Sequence, residues 1–437
     1  MFNNRARSTY QPAKSRFGTG PSRSGGFRSG GFRGAGGPRR FGGGGGRKRI
    51  SDTAVHEYIR RASVKPAAAL LPVPVIPDVQ FDSLNLPQQL QQTISRHGYK
   101  NLTPIQVQGI PAIRDGKDVI GIANTGTGKT AAFLIPLIER IMSDRTYKAL
   151  IVAPTRELAL QIQDELRIFT SGMPIYSAFC IGKSSMYTQI RELQRNPHVV
   201  VGTPGRLKDL ISRKALRLER FRMVILDEAD QMLDMGFIND IKEIISFLPA
   251  ERQSLFFSAT LSPSINTLIS SFVKNPVLIS VKTSETTSHI TQEVVTVEPT
   301  ALKIEKLTSL LRQEDFTKVL VFGRTKRGVE KITQDLYAKG FKVASIHGDK
   351  EQSARQRALR MFKEDVVNIM IATDVAARGL DIPNVSHVIN FDVPESYEDY
   401  IHRIGRTGRA NKTGKALTFV QGLAAPLKTQ SYTSHRR

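Results

Sequence analysis

A run of eight residues, ANTGTGKT (123–130), separates a short apolar segment from a longer apolar stretch that reads as a helix. Glycines at 126 and 128 let backbone amides turn inward around phosphate groups at a helix N-terminus. Lys129 can then reach the β and γ phosphates of a nucleotide, and Thr130 can place its hydroxyl on Mg²⁺. The pattern departs from G-x-x-x-x-G-K-[ST] only in opening on Ala123. A glycine turn of purely structural use is the rival reading; Gly-Lys-Thr between strand and helix favours phosphate.

Two further clusters carry charge in useful places. The apolar run MVIL (223–226) ends in Asp227 and Glu228. In an open parallel sheet, ligands sit beyond the carboxyl ends of the strands, the edge that also carries a phosphate loop. One acid can hold Mg²⁺ and the next can orient and deprotonate an attacking water. Without the phosphate loop, the pair would read as solvated strand caps. Downstream, HRIGRTGR (402–409) spaces arginines at 403, 406 and 409 with glycines between them. Guanidinium groups brought in from another domain stabilise charge on a transferring phosphoryl group. A solvated basic loop is the alternative there.

Strands must position these clusters. Apolar runs occur at DVIGI (118–122), ALIVA (149–153), HVVVG (198–202), MVIL (223–226) and SLFFS (254–258). A second series is KVLVF (318–322), VASI (343–346), NIMIA (368–372), HVINF (387–391) and ALTF (416–419). Each run leads into a polar or glycine-containing turn, often followed by an amphipathic helix, which predicts parallel sheets covered on both faces. The polar stretch KTSETTSHI (282–290) divides the two series. Residues 51–63 read as a short helix capped by Ser51, with Val55, Tyr58 and Ile59 on one face. That face is expected to dock on the chain's own core. The proline- and alanine-rich 66–78 reads as an extended linker.

Composition narrows the partners. The 437 residues allow two or three domains, and 40% hydrophobic content is ordinary for a globular chain. No apolar run approaches the ~20 residues a membrane span needs, so no membrane association is expected. The basic N-terminus lacks an apolar stretch after it, so a secretory signal is not expected. Cys180 is the sole cysteine, which excludes an internal disulfide or a cysteine zinc site and fits a reducing, cytoplasmic setting. Net charge is +24, and residues 1–50 hold 12 of the 63 Lys and Arg with no acid. Such a balance favours a polyanion, nucleic acid before membrane. Residues 23–37 read RSGGF RSGGF RGAGG, a low-complexity repeat expected to be disordered. Arg23, Arg28 and Arg33 can bind phosphates while Phe27 and Phe32 stack on unpaired bases. A solubilising tail is the other reading.

Together these motifs resemble the DEAD-box branch of superfamily 2 helicases over roughly residues 80–420. Upstream, FDSLNLPQQLQQTISRHGYKNLTPIQ (81–106) is similar to the family's adenine-reading motif. ANTGTGKT, PTRELA (154–159), TPGR (203–206), DEAD (227–230) and SAT (258–260) follow in order. VFGRTK (321–326), HGD (347–349), ATDVAARGLD (372–381) and YIHRIGRTGR (400–409) complete the series. The tail resembles arginine-glycine-rich tails of RNA-binding proteins, without a strict RGG triplet.

The resemblance implies an α/β fold of two RecA-like domains, each a parallel sheet flanked by helices, behind a disordered N-terminal tail. The expected divisions are 1–50 (tail), 51–79 (helix and linker), 80–281 (ATP-binding domain), 282–290 (interdomain linker), 291–425 (C-terminal domain) and 426–437 (short basic tail). By resemblance, Phe81 stacks on adenine and Gln106 bonds its edge, while Ala123, Asn124, Thr125, Gly126, Thr127, Gly128, Lys129 and Thr130 cradle the triphosphate. Thr130 and Asp227 hold Mg²⁺, Glu228 activates water, Arg406 and Arg409 are arginine fingers, and Asp381 lies near the ribose. Ser258, Thr260 and His402 couple hydrolysis to domain closure. Pro154, Thr155, Arg156, Thr203, Gly205 and Arg206 line an RNA path in the first domain. Arg324, Gly348, Gln352, Arg355 and Thr373 continue it in the second. Such contacts go mostly to phosphate and sugar, so little base specificity is expected.

The expected activity is RNA-dependent ATP hydrolysis by a monomer that clamps RNA, unwinds short duplexes or remodels ribonucleoproteins. A tail-driven RNA chaperone and a DNA helicase on the same core are the alternatives. Three positions depart from the family pattern. Asn124 stands where Gln is usual, Gly182-Lys183 replaces Gly-Gly, and Gly323 replaces a larger residue. Lys183 would either hinder RNA or add a phosphate contact; Gly323 is expected to loosen its strand end.

Overall fold

The computed structural model describes residues 52–63, 79–124, 126–261, 263–270, 272–281, 289–298, 302–377, 382–408 and 413–421. The N-terminal tail with its Arg/Phe repeat, Ser51, the 66–78 linker, residues 282–288, Thr125, Asp381, Arg409 and the 426–437 tail lie outside the described residues.

Two parallel sheets organise the chain. The first holds β1 (Val119–Ala123), β2 (Ala149–Val152), β3 (Ser177–Cys180), β4 (Val199–Gly202), β5 (Met223–Leu226), β6 (Gln253–Ser258) and β7 (Val277–Val281). Their spatial order is β3-β4-β2-β5-β6-β1-β7, with every pairing parallel. β2, β4, β5 and β6 are buried along their whole length. Helices cover both faces, so these strands read as unbroken apolar runs rather than alternating ones.

The second sheet holds β8 (Ile290–Thr296), β9 (Val319–Phe322), β10 (Val343–Ile346), β11 (Ile369–Ala372), β12 (His387–Asn390) and β13 (Gly414–Val420), in the order β10-β11-β9-β12-β13-β8. β8 begins at the last residue of the expected linker. The runs read from sequence are all strands. The three strands that were not, β3, β7 and β8, are sheet edges. An edge strand is covered less completely; β7, for example, alternates between buried and exposed positions. That dilutes the apolar run on which the reading depends.

Gly323 does not loosen its strand end. Its amide continues the ladder to Ala372 O at 3.0 Å, and an added Cβ would press to 3.0 Å from Val329 Cγ2. Close packing against Val329 is what a small residue permits here.

The helix Asp52–Ser63 docks as expected, and it docks on the second domain. Val55 and Ile59 are fully covered, in a cluster with Ile290, Tyr400, Ile404, Ala416 and Val420. Tyr58 lies 5.8 Å from Tyr397 and 6.0 Å from Tyr400, and Arg61 sits 4.1 Å over the Tyr397 ring.

Candidate functional site

Strand order sorts the motif loops along the carboxyl edge of the first sheet. DEAD follows β5, SAT follows β6 and the phosphate loop follows β1, and these three strands are neighbours. On the other half, Gly182-Lys183 follows β3, TPGR follows β4 and PTRELA follows β2. One edge thus carries two groups of loops, meeting between β2 and β5.

In the first group, Gly126 and Gly128 adopt φ of +84° and +88°, a left-handed geometry in which glycine carries no Cβ penalty. Gly128 also has no room for a side chain: a Cβ would lie 2.5 Å from Gln106 Nε2. It is the N-cap of the helix Lys129–Ser143. Thr127 Oγ1 donates to Asn124 O at 2.8 Å, closing the loop on itself. Lys129 is buried and donates from Nζ to Ala123 O at 3.0 Å. Thr130 is half-buried on the first turn of the same helix.

Gln106 is buried and uses both ends of its amide. Oε1 accepts from Thr103 N at 2.9 Å, and Nε2 donates to Gly128 O at 3.0 Å. It therefore ties the upstream motif to the phosphate loop. Phe81, expected to stack on adenine, is packed inward in the nucleotide-free chain. The ring is 3% exposed and stands edge-on to Tyr99 at 5.9 Å. Tyr99 in turn meets Phe169 at 5.5 Å. Burying a large aromatic surface is the more favourable use of that side chain.

Asp227 and Glu228 are both buried, and Asp227 Oδ1 accepts from Glu228 N at 3.0 Å. Burial pushes the Asp227 carboxyl up to about 6, with Lys129 pulling it down and Glu228 adding repulsion. Glu228 sits at φ +54°, an uncommon conformation for a side chain other than Gly or Asn. A buried acid with too little positive charge around it suits a cation, and Thr130 and Asp227 are the oxygen donors that could hold one.

Asp230, the last residue of DEAD, does something the sequence did not reveal. Its Oδ2 accepts from Ala259 N at 2.9 Å and Thr260 N at 3.1 Å. Ser258 Oγ donates to Thr260 O at 2.7 Å. DEAD and SAT are thereby one hydrogen-bonded unit across β5 and β6.

The second group of loops forms a groove of about 380 Å³, lined by Pro154, Thr155, Arg156, Gly182, Thr203, Gly205, Arg206 and Arg355. Met235, Phe237 and Val375 line it as well and were not foreseen. Thr155 caps the helix Arg156–Phe169 by accepting from Leu158 N at 3.2 Å. Arg206 reaches Ser184 O at 3.1 Å and Gln189 Oε1 at 2.9 Å, which braces the Gly182-Lys183 loop.

Across the groove, Arg355 of the second domain meets Glu157 of the first at 2.6 Å, with both side chains 4% exposed. Gln352 Nε2 adds a contact to Glu157 Oε1 at 3.4 Å. Glu157 lies within PTRELA and was missed, because nothing local marks it as the partner of an arginine some 200 residues away. Arg324, Gly348 and Thr373 are not among the residues lining this groove. Arg324 N donates to Asp392 Oδ2 at 2.9 Å, and Gly348 O accepts from Lys183 Nζ at 2.5 Å.

The arginines of HRIGRTGR separate. Arg403 is 2% exposed and fully committed: Nε and Nη2 donate to the two Asp374 oxygens at 2.5 and 2.7 Å. Its Nη1 donates to Asn390 Oδ1 at 3.2 Å and Asp392 O at 2.6 Å. Arg406, beyond the end of the helix Tyr397–Ile404, is buried and contacts His402 O from Nε at 3.2 Å.

Two parallel sheets with phosphate loop, acid pair and interdomain groove define a two-domain, RecA-like nucleotide-driven machine. The family model for DEAD/DEAH box helicases matches residues 103–268, and that for the helicase conserved C-terminal domain matches 302–411. The DEAD-box ATP-dependent RNA helicase CshA of Geobacillus kaustophilus is 48% identical over 341 residues, 78% of this chain and 73% of that one. CshA of Bacillus subtilis is 47% identical over 349 residues, 78% and 69% of the two chains. Among solved structures, S. cerevisiae Dbp5 bound to RNA and ADP BeF3 superposes with a TM-score of 0.71 at 32% identity. That match covers 79% of this chain and 90% of Dbp5. Mss116p bound to ssRNA and AMP-PNP gives 0.72 at 31% identity, covering 79% and 75%. The chain belongs to the DEAD-box family of ATP-dependent RNA helicases.

Proposed function

We propose that the chain binds ATP and RNA together in the cleft between its domains, about 80–281 and 290–421, and hydrolyses ATP to release the RNA. The observation that carries this reading is the Glu157–Arg355 pair, which joins the domains at the floor of the groove. Both side chains are buried where the domains meet, so the pair fixes the register in which the two domains face each other. The likeness to Dbp5 and Mss116p, each solved with RNA and a nucleotide analogue, spans both domains and supports the same arrangement.

On this reading the motif residues divide the work. Lys129 trades its contact to Ala123 O for the β and γ phosphates, and Gln106 trades Gly128 O for the adenine edge. Mg²⁺, when bound through Thr130 and Asp227, neutralises phosphate charge. Glu228 takes the proton of the attacking water. Arg406, with Arg409, meets the charge that develops on the γ phosphate from the far side of the cleft. Asp230 passes the state of DEAD to Ser258 and Thr260, and His402 belongs to the same interdomain contact. Asp381 serves the ribose. Pro154, Arg156, Thr203, Gly205 and Arg206 grip one RNA strand by its backbone, and Arg324, Gly348 and Thr373 continue the path on the second domain beyond the groove. Gln352 and Arg355 act on Glu157 and so close the groove rather than read RNA.

Local unwinding of short duplexes and remodelling of ribonucleoproteins follow from bending one strand in a closed groove. We place the protein in the cytoplasm as a monomer. Among the described residues no helix is long and apolar enough to cross a membrane. The sole cysteine is buried, its thiol pushed up to about 12 by burial.

Glu228→Gln tests the central assignment. The variant should bind ATP within about threefold of the parent yet lose roughly 100- to 10,000-fold in turnover. It should also hold single-stranded RNA far longer with ATP than with ADP. Retained turnover would remove Glu228 as the base, and equal RNA lifetimes in ATP and ADP would remove the clamp.

A further inference from the structure

Lys183 occupies a backbone conformation that is uncommon for a lysine. Its φ is +58°, in the left-handed region where a non-glycine residue costs about 1–2 kcal/mol. The surrounding loop is fixed from two sides. Gln189 Nε2 donates to Ile181 O at 3.0 Å, and Arg206 holds Ser184 O at 3.1 Å. The backbone is therefore over-determined, and the side chain leaves it in one direction, across the domain boundary. Nζ donates to Gly348 O at 2.5 Å. The receiving loop is itself held within the second domain: Asp349, next to Gly348, pairs with Lys326 at 2.7 Å. Hydrogen bonding to Lys326 holds the Asp349 carboxyl below its usual range, and the Lys183 charge adds to the effect.

We propose that Lys183 is an interdomain latch, a positioning residue that stabilises the closed arrangement before RNA arrives by tying the β3 loop to the His347-Gly348-Asp349 loop. This rests on the clamp reading above and deepens it. Glu157–Arg355 is the buried tie at the groove, and Lys183–Gly348 is an exposed second tie. A glycine at 183 would relieve the backbone strain but could make no such contact. The other use of a cation here, a direct grip on an RNA phosphate, would leave the carbonyl of Gly348 to water.

The two uses separate in one experiment on the full chain. Cys180 is buried and its thiol is pushed up to about 12, so introduced surface cysteines can be labelled selectively. Ser246→Cys and Lys339→Cys, both exposed and one in each domain, carry a fluorescent donor and acceptor. The ratio of closed to open molecules is measured with AMP-PNP and Mg²⁺ and no RNA. Single-stranded RNA affinity is then measured across salt concentrations. Lys183→Met keeps the backbone strain and the aliphatic stem while removing the charge. The latch predicts a closed-to-open ratio lowered about three- to tenfold, the range of a charge-assisted but exposed hydrogen bond. It also predicts an unchanged slope of log affinity against log salt. Lys183→Gly should lower the ratio in the same direction. An unaltered ratio overturns the proposal. So does a slope that falls by about one, the signature of a lost phosphate contact. If the parent protein showed no RNA-stimulated hydrolysis, the clamp reading would fail while the RNA-free ratio still reported on the latch.

Discussion

Asp227 in the first domain and Arg403 in the second are both buried, 2% exposed each, and they are treated in opposite ways. The Asp227 carboxylate accepts from the amide of Glu228 at 3.0 Å, and burial pushes it up to about 6. Arg403 makes four hydrogen bonds, two of them to Asp374, and stacks 5.1 Å over Phe322. The first domain therefore keeps a charge that its fold does not satisfy, and a ligand can repay the difference. The second domain satisfies its central charge completely and so can present Arg406 from a rigid helix end. In the function proposed above, the ATP site is prepared in one domain and braced in the other.

The contrast within HRIGRTGR gives the largest test after loss of Glu228. Arg403→Ala should leave the partly exposed Asp374 and the buried Asn390 without their partner and destabilise the second domain by about 1–3 kcal/mol, seen as a lower melting temperature. Arg406→Ala should instead lower RNA-activated turnover by about 1,000-fold, with a much smaller change in melting. If the two variants behaved alike, in either measurement, the division of labour between bracing and catalysis would be wrong.

A smaller effect probes the first domain. Burial raises the Asp227 carboxyl from the ordinary carboxylate range to about 6, so its charged form is disfavoured in the fold. The penalty is absent below the unfolded value, grows as pH rises between the two, and is constant above the folded one. Asp227→Asn should therefore raise the stability of the nucleotide-free protein by about 2–3 kcal/mol at pH 8. That gain should shrink as pH falls from about 6 toward 4, while turnover is lost throughout. A variant less stable than the parent at pH 8 would mean that Lys129 already compensates the acid.

Much of this was legible in the sequence. Central strands announce themselves because burial on both faces leaves only apolar residues, as in VVVG and MVIL. The motif loops announce themselves because phosphate chemistry restricts residue types at fixed spacing. What stayed hidden was pairing at long range. Glu157 and Asp230 look like ordinary acids beside their motifs, and only the fold brings Arg355 to one and the SAT amides to the other. Arg403 and Arg406 look equivalent in a glycine-spaced run. They diverge because the helix ends at Ile404, which leaves one on its buried face and the other in the turn. The setting of Phe81 stayed hidden for a related reason: sequence shows an aromatic residue but not the Tyr99 against which it packs, nor the Phe169 beyond. Docking of helix 52–63 was legible, but its receiving surface on the C-terminal domain is likewise a matter of which apolar faces meet.

Steady-state ATP hydrolysis by the intact chain, with and without single-stranded RNA, reaches the central claim most directly. A site prepared in one domain and completed from the other should turn over slowly alone and at least about tenfold faster with saturating RNA, because closure supplies the arginine side of the cleft. Equal rates with and without RNA would mean that Asp227 and Glu228 need nothing from the second domain, and would contradict the account.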